Sequence, residues 1–223
     1  MPPSVAIVSA GEMGAAIGAK FVNAGLAVFT SLDGRSEATR NRARNAGMVD
    51  LPLSQLPKHA EWILSILPPS DAFAFARSFI DAADAAASES IVQDNLTKNI
   101  VFVDCNAVNP ESAKRIAGLF ERSRTISFID AGIIGGPPSD TYTPTIYASA
   151  EKKDEKSLDE FEAFSKYGVK VNALRGEAGI GDASALKMSY AVSYQSFIGS
   201  CELILHQGIS KGLIGIMTTM LLG

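Results

Sequence analysis

The spacing of apolar positions changes from that of a strand to that of a helix within residues 4–20. The apolar run Val5–Val8 contains β-branched residues and predicts a buried strand. After this run the apolar residues recur at four-residue spacing, which predicts a helix through Met13, Ile17 and Phe21. A strand that turns tightly into a helix directs backbone N–H groups and the positive end of the helix dipole at the turn. The pattern therefore predicts an anion site between the strand and the helix.

The turn itself carries an incomplete dinucleotide fingerprint. The pattern G-x-G-x-x-G occurs here as Ser9-x-Gly11-x-x-Gly14, with serine in the first position. Gly11 stands where a pyrophosphate approaches the backbone, and Gly14 stands where the helix packs closely on the strand. We interpret the turn as dinucleotide-binding. The alternative is a tight strand-to-helix turn of the kind found in any parallel sheet.

Strands and helices alternate along most of the chain. Further strands are predicted over residues 26–31, 62–67, 100–104, 125–130 and 145–149, with an edge strand at 169–171. Helices are predicted to begin after caps at Ser36, Ser70 or Asp71, and Asn109, and a charged helix is predicted from Lys153 to Tyr167. Residues 88–99 are interpreted as a polar surface connection, residues 131–138 as a rigid glycine-rich loop, and Trp62 as a core residue. This order predicts an α/β fold with a doubly wound, Rossmann-type parallel sheet over residues 1–178.

The loop after the second strand is the place where cofactor choice is made in such folds, because it lies beside the adenosine ribose. Asp33 can accept a hydrogen bond from a ribose hydroxyl. Arg35, with Ser36 and Arg40 close by, can instead neutralise a 2′-phosphate. We expect NADP in preference to NAD, and the alternative is that these arginines form a solvated helix face.

Residues 179–223 differ in character and are predicted to begin a helical domain. Asp182 or Ser184 can cap a long helix that runs to about His206, and no charge occurs between Lys187 and Glu202. Lys187 stands at the head of an apolar stripe, where a cation costs desolvation energy unless it has a partner or a task. The alternative is a lysine whose ammonium group reaches water near the start of the helix.

Composition excludes several classes of function. The chain has 223 residues, is 47% hydrophobic and has a formal net charge of −4, without a basic block that would bind nucleic acid. Two cysteines and two histidines without ligand spacing argue against a metal site. We find no secretory signal and no apolar stretch of about twenty residues. We therefore expect a cytoplasmic protein without membrane or nucleic-acid partners.

Several blocks of sequence together resemble the 6-phosphogluconate dehydrogenase and β-hydroxyacid dehydrogenase superfamily. The resemblance is to a poorly characterised branch that carries a 6-phosphogluconate dehydrogenase-type NADP-binding domain. The blocks follow in the family's order: Gly11-Glu12-Met13-Gly14, Ile66-Leu67-Pro68-Pro69, Asp104-Cys105-Asn106 with Pro110, Asp130-Ala131-Gly132-Ile133-Ile134-Gly135-Gly136, and Gly181-Asp182-Ala183-Ser184-Ala185-Leu186-Lys187-Met188.

The resemblance implies an NADP-dependent oxidoreductase that transfers hydride between NADP(H) and a small hydroxyacid or ketoacid. Lys187 would be the general acid/base, and the substrate would lie at Ile134, Gly135 and Gly136. The cofactor-binding residues that the resemblance and the second-strand loop imply are Gly11, Glu12, Met13, Gly14, Ser31, Arg35, Ser36, Leu67, Pro68, Pro69 and Asn106.

The chain also departs from the family pattern. Ile134 stands where the family has serine, Ala191 stands where it usually has asparagine, and two extra residues precede Lys187. A non-catalytic NADP-binding protein, or degraded paralogue, and an imine reductase are therefore alternatives. The family continues beyond the position of Gly223, so we expect a truncated all-α C-terminal domain and a homo-oligomer formed through its helix.

Overall fold

The computed structural model describes residues 2–92 and 99–193. Within them, parallel pairing organises one sheet whose strand order is β3-β2-β1-β4-β5-β6-β7-β8. This order contains the 3-2-1-4-5-6 arrangement of doubly wound dinucleotide-binding folds. The strands are β1 Val5–Val8, β2 Val28–Thr30, β3 Val49–Asp50, β4 Trp62–Ser65, β5 Ile100–Asp104, β6 Ile126–Ile134, β7 Thr145–Ser149 and β8 Lys170–Ala173.

Helices connect the successive strands except β6 and β7, and parallel pairing requires such crossover connections. Seven are described: α1 Glu12–Asn23, α2 Glu37–Asn45, α3 Leu56–His59, α4 Pro69–Val92, α5 Pro110–Phe120, α6 Glu155–Glu162 and α7 over residues 182–193. Short 3₁₀ turns occur at Leu53–Gln55, Lys152–Asp154 and Ala163–Tyr167. One compact unit, residues 1–187, contains the sheet, α1–α6 and the start of α7. The assignment of residues 179–223 to a separate helical domain stays a prediction.

Both faces of the sheet are buried, which explains the near-continuous apolar runs in its central strands. On one face, aromatic rings of α4, α5, β5 and β6 pack together, with Phe102 at the centre of the group. On the other face, Trp62 packs against Phe161 and Phe164 and is 5% exposed. The prediction that Trp62 is a core residue is therefore confirmed.

Locally encoded features of the sequence are found where they were predicted. Ser36 caps α2, because its hydroxyl accepts from the Thr39 N–H at 3.3 Å. Asn109 caps α5 by accepting from the Ser112 N–H at 2.8 Å, and Pro110 occupies the first turn. The strand after residue 168 lies at the edge of the sheet as β8.

The predicted loop at residues 131–138 is wrong in its first half. β6 continues to Ile134, and residues Asp130–Ile134 pair antiparallel with β7. The other strand pairs described in this sheet are parallel, as predicted. The sequence does not reveal this antiparallel pairing, because an irregular segment separates the end of β6 at Ile134 from the start of β7 at Thr145.

The boundaries of α4 also differ from the prediction. The helix begins at Pro69, whose fixed φ suits a first turn, and not after a cap at Ser70 or Asp71. It extends to Val92, so residues 88–92 belong to the helix and not to a surface connection. The short strand β3 and helix α3 were not predicted. Most of the predicted C-terminal helix, and with it the surface expected to form an oligomer, lies outside the described residues.

Candidate functional site

The carboxyl ends of the central strands lie on one line across the sheet. Val8 pairs with Ser65, Ser65 with Asp104, and Asp104 with Asp130. The residues that follow each of these positions therefore gather at one edge. The chain leaves β1 and β4 in opposite directions along the sheet, and ligands of open α/β sheets bind in the crevice at such a reversal.

The turn between β1 and α1 leaves open space above the start of the helix. Gly11 caps α1 with φ −62° and ψ −178°, and as a glycine it has no side chain to accept from the first N–H groups of the helix. A Cβ atom added to Gly11 would meet nothing within 4 Å, whereas one added to Gly14 would lie 2.2 Å from the Ser9 carbonyl oxygen. Gly14 thus allows close packing of helix on strand, and the turn fits a pyrophosphate over the helix N-terminus. Glu12 is exposed and Met13 half-buried in the first turn.

Arg42 supports this turn from α2, a contact that sequence reasoning missed. Its Nε donates to the Ala10 carbonyl oxygen at 3.1 Å, and its Nη2 donates to the Thr39 hydroxyl at 3.0 Å. The guanidinium group is half-buried and brings a positive charge to the dinucleotide edge. Thirty-two residues separate donor and acceptor, so no local spacing signals the pair.

The two arginines predicted to neutralise a 2′-phosphate have different surroundings in the loop after β2. Arg40 donates to the Leu32 carbonyl oxygen at 2.6 Å and lies 3.6 Å from the Asp50 carboxylate, so it holds the loop together. Arg35 is half-buried and has no side-chain hydrogen bond or ion pair with any other described residue. Ser36 is exposed beside it at the start of α2, and Ser31 is buried at the end of β2.

Asn106 braces the loop that follows β4. Its Oδ1 accepts from the Leu67 N–H at 2.5 Å, and its Nδ2 donates to the Ser65 hydroxyl at 2.8 Å and to the Asp104 carboxylate. The amide is buried and has three partners within the protein. It fixes Leu67, while Pro68 and Pro69 remain exposed at the crevice. A direct contact between the Asn106 side chain and the cofactor stays a prediction.

Asp104 is buried, and its hydrogen bonds satisfy only one of its two carboxyl oxygens among the described residues. Its Oδ1 accepts from Asn106, but its Oδ2 has no hydrogen-bond partner among the described residues. Burial raises the pKa of this carboxyl from 3.8 to about 7, with a smaller contribution from the neighbouring Asp130 carboxylate. The next residue, Cys105, is also buried, and desolvation raises the pKa of its thiol above the ordinary range.

Lys187 lies at the same edge, beyond the end of β5. Strand β6 overhangs β5 by the residues after Asp130, and the Lys187 Nζ donates to the Ile133 carbonyl oxygen at 2.6 Å. A Cβ atom on Gly132 would lie 2.9 Å from the Lys187 Cβ, so glycine is required for this close approach of α7. The side chain is half-buried, and desolvation lowers the pKa of its ammonium group.

The three residues expected to bind substrate, Ile134, Gly135 and Gly136, come directly after Ile133 in the chain. Ile134 is the last residue of β6, pairs with Thr145 and is half-buried. Gly135 has φ +119°, and a Cβ atom there would lie 1.9 Å from the Tyr142 hydroxyl oxygen, so this position requires glycine. Gly135 and Gly136 are exposed, and the loop that follows is held by a 2.8 Å hydrogen bond from Lys20 to the Ser139 carbonyl oxygen.

Two further classes of site were sought in the part of the chain that the structure describes. It contains no cluster of three or more His, Cys, Asp or Glu side chains that could hold a metal ion. None of its helices is both long enough and apolar enough to cross a membrane.

Comparison with known proteins decides the family. Residues 4–174 match the family described as the NAD binding domain of 6-phosphogluconate dehydrogenase. The chain belongs to this family. The predicted superfamily and the predicted Rossmann-type α/β class are therefore confirmed. The crevice at β1 and β4 lies within the matched residues, and the binding of the cofactor there stays a prediction.

Individual relatives are more distant. The chain is 23% identical over 215 residues to the mitochondrial 3-hydroxyisobutyrate dehydrogenase of Drosophila melanogaster, covering 94% of this chain and 61% of that enzyme. The structure of Mycobacterium tuberculosis 3-hydroxyisobutyrate dehydrogenase with L-serine is 19% identical, with a TM-score of 0.70 over 95% of this chain and 68% of that one.

An imine reductase from Myxococcus stipitatus also shares the fold, at 16% identity. Its V8 variant in complex with NAD⁺ has a TM-score of 0.73, covering 99% of this chain and 72% of that one. Its complex with NADP⁺ has a TM-score of 0.69, with 98% and 71% covered. At these identities the likeness to the solved structures concerns the fold.

Substitutions of the two glycines in the β1–α1 turn are expected to have different effects. Gly11→Val is expected to remain folded, because its φ and ψ suit a β-branched residue and no atom lies within 4 Å of the new Cβ. It should nevertheless lose NAD(P)H binding, because the isopropyl group fills the space above the helix N-terminus. Isothermal titration with NADPH and NADH, with circular dichroism as a check of folding, measures both effects.

Gly14→Ala is the matched variant. Its methyl group would meet the Ser9 carbonyl oxygen at 2.2 Å, so it should lower the free energy of unfolding by roughly 1–3 kcal/mol. Normal cofactor affinity in Gly11→Val would mean that the turn has only a structural role.

The Asp104 carboxyl predicts a pH dependence of stability. Between its unfolded pKa, near 3.8, and about 7, the folded protein keeps a proton that the unfolded chain releases, so the free energy of unfolding falls as the pH rises. Asp104→Asn does not titrate and should gain stability relative to the parent from pH 5 to pH 8, by at most about 4 kcal/mol.

Urea unfolding at several pH values measures this gain. Asp140→Asn removes the same charge from an exposed loop and controls for net charge. Parallel stability curves of Asp104→Asn and the parent would contradict the prediction.

Proposed function

We propose that the chain is an NADP-dependent oxidoreductase that transfers hydride between NADP(H) and a small hydroxyacid or ketoacid. The observation that carries this proposal is the position of Lys187, a half-buried cation at the cofactor edge of an NAD(P)-binding domain. Its similarity to 3-hydroxyisobutyrate dehydrogenases adds support. The chain spans 61% of the length of the Drosophila enzyme.

Lys187 has the properties of a general acid/base. The cofactor, when bound, supplies or accepts a hydride at the substrate carbon. The ammonium group has three N–H donors, and the Ile133 carbonyl oxygen takes one of them, which directs the remaining donors away from β6. Since burial lowers its pKa, the amine is neutral more often near neutral pH than an exposed lysine. It can then take a proton from a substrate hydroxyl in oxidation, or return it to the oxygen in reduction.

The exposed backbone at the end of β6 would bind the substrate's anionic group. Gly135 and Gly136 present main-chain atoms without side chains beside the strand that carries Ile133. Ile134 supplies an apolar surface there and no hydrogen-bonding group. This apolar residue favours imine reduction as a second candidate function, in keeping with the likeness to imine reductases.

Arg35 supports NADP as the preferred cofactor. Its guanidinium is free of other described partners and follows β2, one residue before the cap of α2. A 2′-phosphate placed there would receive both a charged fork and a helix N-terminus.

Arg35→Ala is expected to weaken NADPH binding roughly tenfold or more and to leave NADH binding nearly unchanged, because only NADPH carries the phosphate. Arg44→Ala is the matched control, since Arg44 lies on the exposed side of α2 and already pairs with Glu37. Equilibrium titration of the parent and the two variants with NADPH and NADH measures the dissociation constants. For each variant and each cofactor, the ratio to the parent value is then compared. An unchanged preference in Arg35→Ala would reject its contact with the phosphate.

Substitution of Lys187 tests the proposed reaction. NADPH oxidation is first measured against a panel of small ketoacids and cyclic imines, which separates the two candidate activities. Lys187→Ala should lower kcat about 10²–10⁴-fold while NADPH affinity stays close to that of the parent. Lys187→Arg should fail almost as badly, because guanidinium does not release its proton in this range.

Lys156→Ala, at an exposed site on α6, controls for the loss of a lysine. Turnover that survives in Lys187→Ala would assign proton transfer to another group, and a large loss of NADPH affinity would assign the lysine to the cofactor. If no compound in the panel is reduced, the non-catalytic alternative is favoured.

A further inference from the structure

The helix that carries Lys187 is capped by the sheet and not by its own residues. The Gly181 and Ser184 N–H groups donate to Asp130 Oδ2 at 2.9 and 3.0 Å, and the Ser184 hydroxyl donates to Oδ1 at 2.6 Å. The Ala183 N–H donates to the Ser149 hydroxyl oxygen at 3.1 Å. The predicted cap is therefore wrong, because the Asp182 carboxylate turns back to accept from the Gly179 N–H.

These acceptors are inaccessible to water. Asp130 and Ser149 are 0% exposed, and Ser184 is 1% exposed. No solvent can replace Asp130 as acceptor while α7 stays in place, so the carboxylate satisfies two helix N–H groups that would otherwise be buried and unpaired.

Strand β6 thus supports α7 at three successive points. Asp130 holds the first turn, Gly132 allows the close approach of the helix, and the Ile133 carbonyl oxygen receives the Lys187 ammonium group. Ser184 and Lys187 are three residues apart and lie on the same side of the helix. The anchored residue and the lysine therefore face the same strand.

We propose that Asp130 is a positioning residue for Lys187, holding the first turn of α7 on β6 so that the ammonium group stays at the end of that strand. The inference deepens the proposed function, since it concerns the proposed general acid/base. Without the carboxylate, the Gly181 and Ser184 N–H groups must reach water, which requires the first turn to leave the strand. Lys187 would then leave its desolvated site.

The titration of Lys187 reports its position without any substrate. The Cys105 thiol is the titratable group whose charge acts on Lys187. The Asp130 carboxylate raises the pKa of this thiol, and Asp130→Ala and Asp130→Asn remove that effect equally, so a difference between the two variants does not come from Cys105. Loss of burial raises the pKa of a lysine, whereas loss of a nearby negative charge lowers it. The two possible effects of Asp130 therefore have opposite signs.

The experiment follows the Cε resonances of protein labelled with ¹³C-lysine as the pH is raised, with the Lys187 signal assigned by its absence in Lys187→Arg. In the parent, Lys187 should titrate below the other lysines. Asp130→Ala should move its pKa upward towards the ordinary lysine value. Asp130→Asn should not, because its side-chain oxygen still accepts from both N–H groups and its amide donates to Ser184.

Ser149→Ala removes the acceptor of the Ala183 N–H and the 3.5 Å hydrogen bond from the Ser149 hydroxyl to Asp130 Oδ2, but it leaves the carboxylate in place. It should move the pKa of Lys187 upward less than Asp130→Ala does, which keeps the test decisive if Asp130→Ala does not fold. A Lys187 pKa that is unchanged in every folded variant would overturn the proposal, as would a fall in both Asp130 variants, which would indicate an electrostatic role.

Activity adds a second readout where a substrate is found. Asp130→Ala should then lower kcat with little change in NADPH affinity, and Asp130→Asn should retain most of the parent's kcat. If the chain reduces no compound, the proposed function fails, but the NMR titration still decides whether Asp130 positions Lys187.

Discussion

The parallel register of β1, β4, β5 and β6 determines where every group of the candidate site lies. Val8, Ser65, Asp104 and Asp130 share one line, so the turns that follow them meet at one edge of the sheet. A slip of one residue would send each polar side chain to the opposite face, among the buried apolar residues there. The large aromatic core beside Phe102 therefore fixes both the fold and the position of the cofactor crevice.

Two carboxylates on that line show how differently burial can be compensated. Asp130 receives hydrogen bonds from three groups of residues 181–184, and it joins β6 to α7. Within residues 2–92 and 99–193, Asp104 receives them only from Asn106, and one of its oxygens finds no partner there. Asp104 contributes by holding Asn106, which in turn fixes Leu67 in the loop beside the β1–α1 turn. The unpaired oxygen thus belongs to a carboxylate whose other oxygen helps to hold the loop after β4.

Features encoded within a few residues could be predicted from the sequence, and features made by distant partners could not. The β1–α1 turn and the caps at Ser36 and Asn109 depend on neighbouring residues alone. The extension of β6, the contact of Arg42 with Ala10 and the capping of α7 by Asp130 join segments that are far apart. The resemblance to a family named Lys187 and Gly135 as site residues and included Asp130 in a matching block, but it did not indicate that the Asp130 carboxylate is buried and accepts from the start of α7.

The choice between a ketoacid and an imine as substrate depends on the end of β6 more than on Lys187. A lysine with a lowered pKa can exchange a proton with a carbonyl oxygen, and when neutral it does not repel a cationic iminium. Lys187 is therefore compatible with both reactions. A ketoacid also brings a carboxylate, which needs hydrogen-bond donors, and the backbone of Gly135 and Gly136 is exposed just beyond the end of β6. The Ile134 side chain offers no donor, so a carboxylate bound at the end of β6 would have to be held by other groups there, whereas an imine carries no carboxylate and has no such requirement.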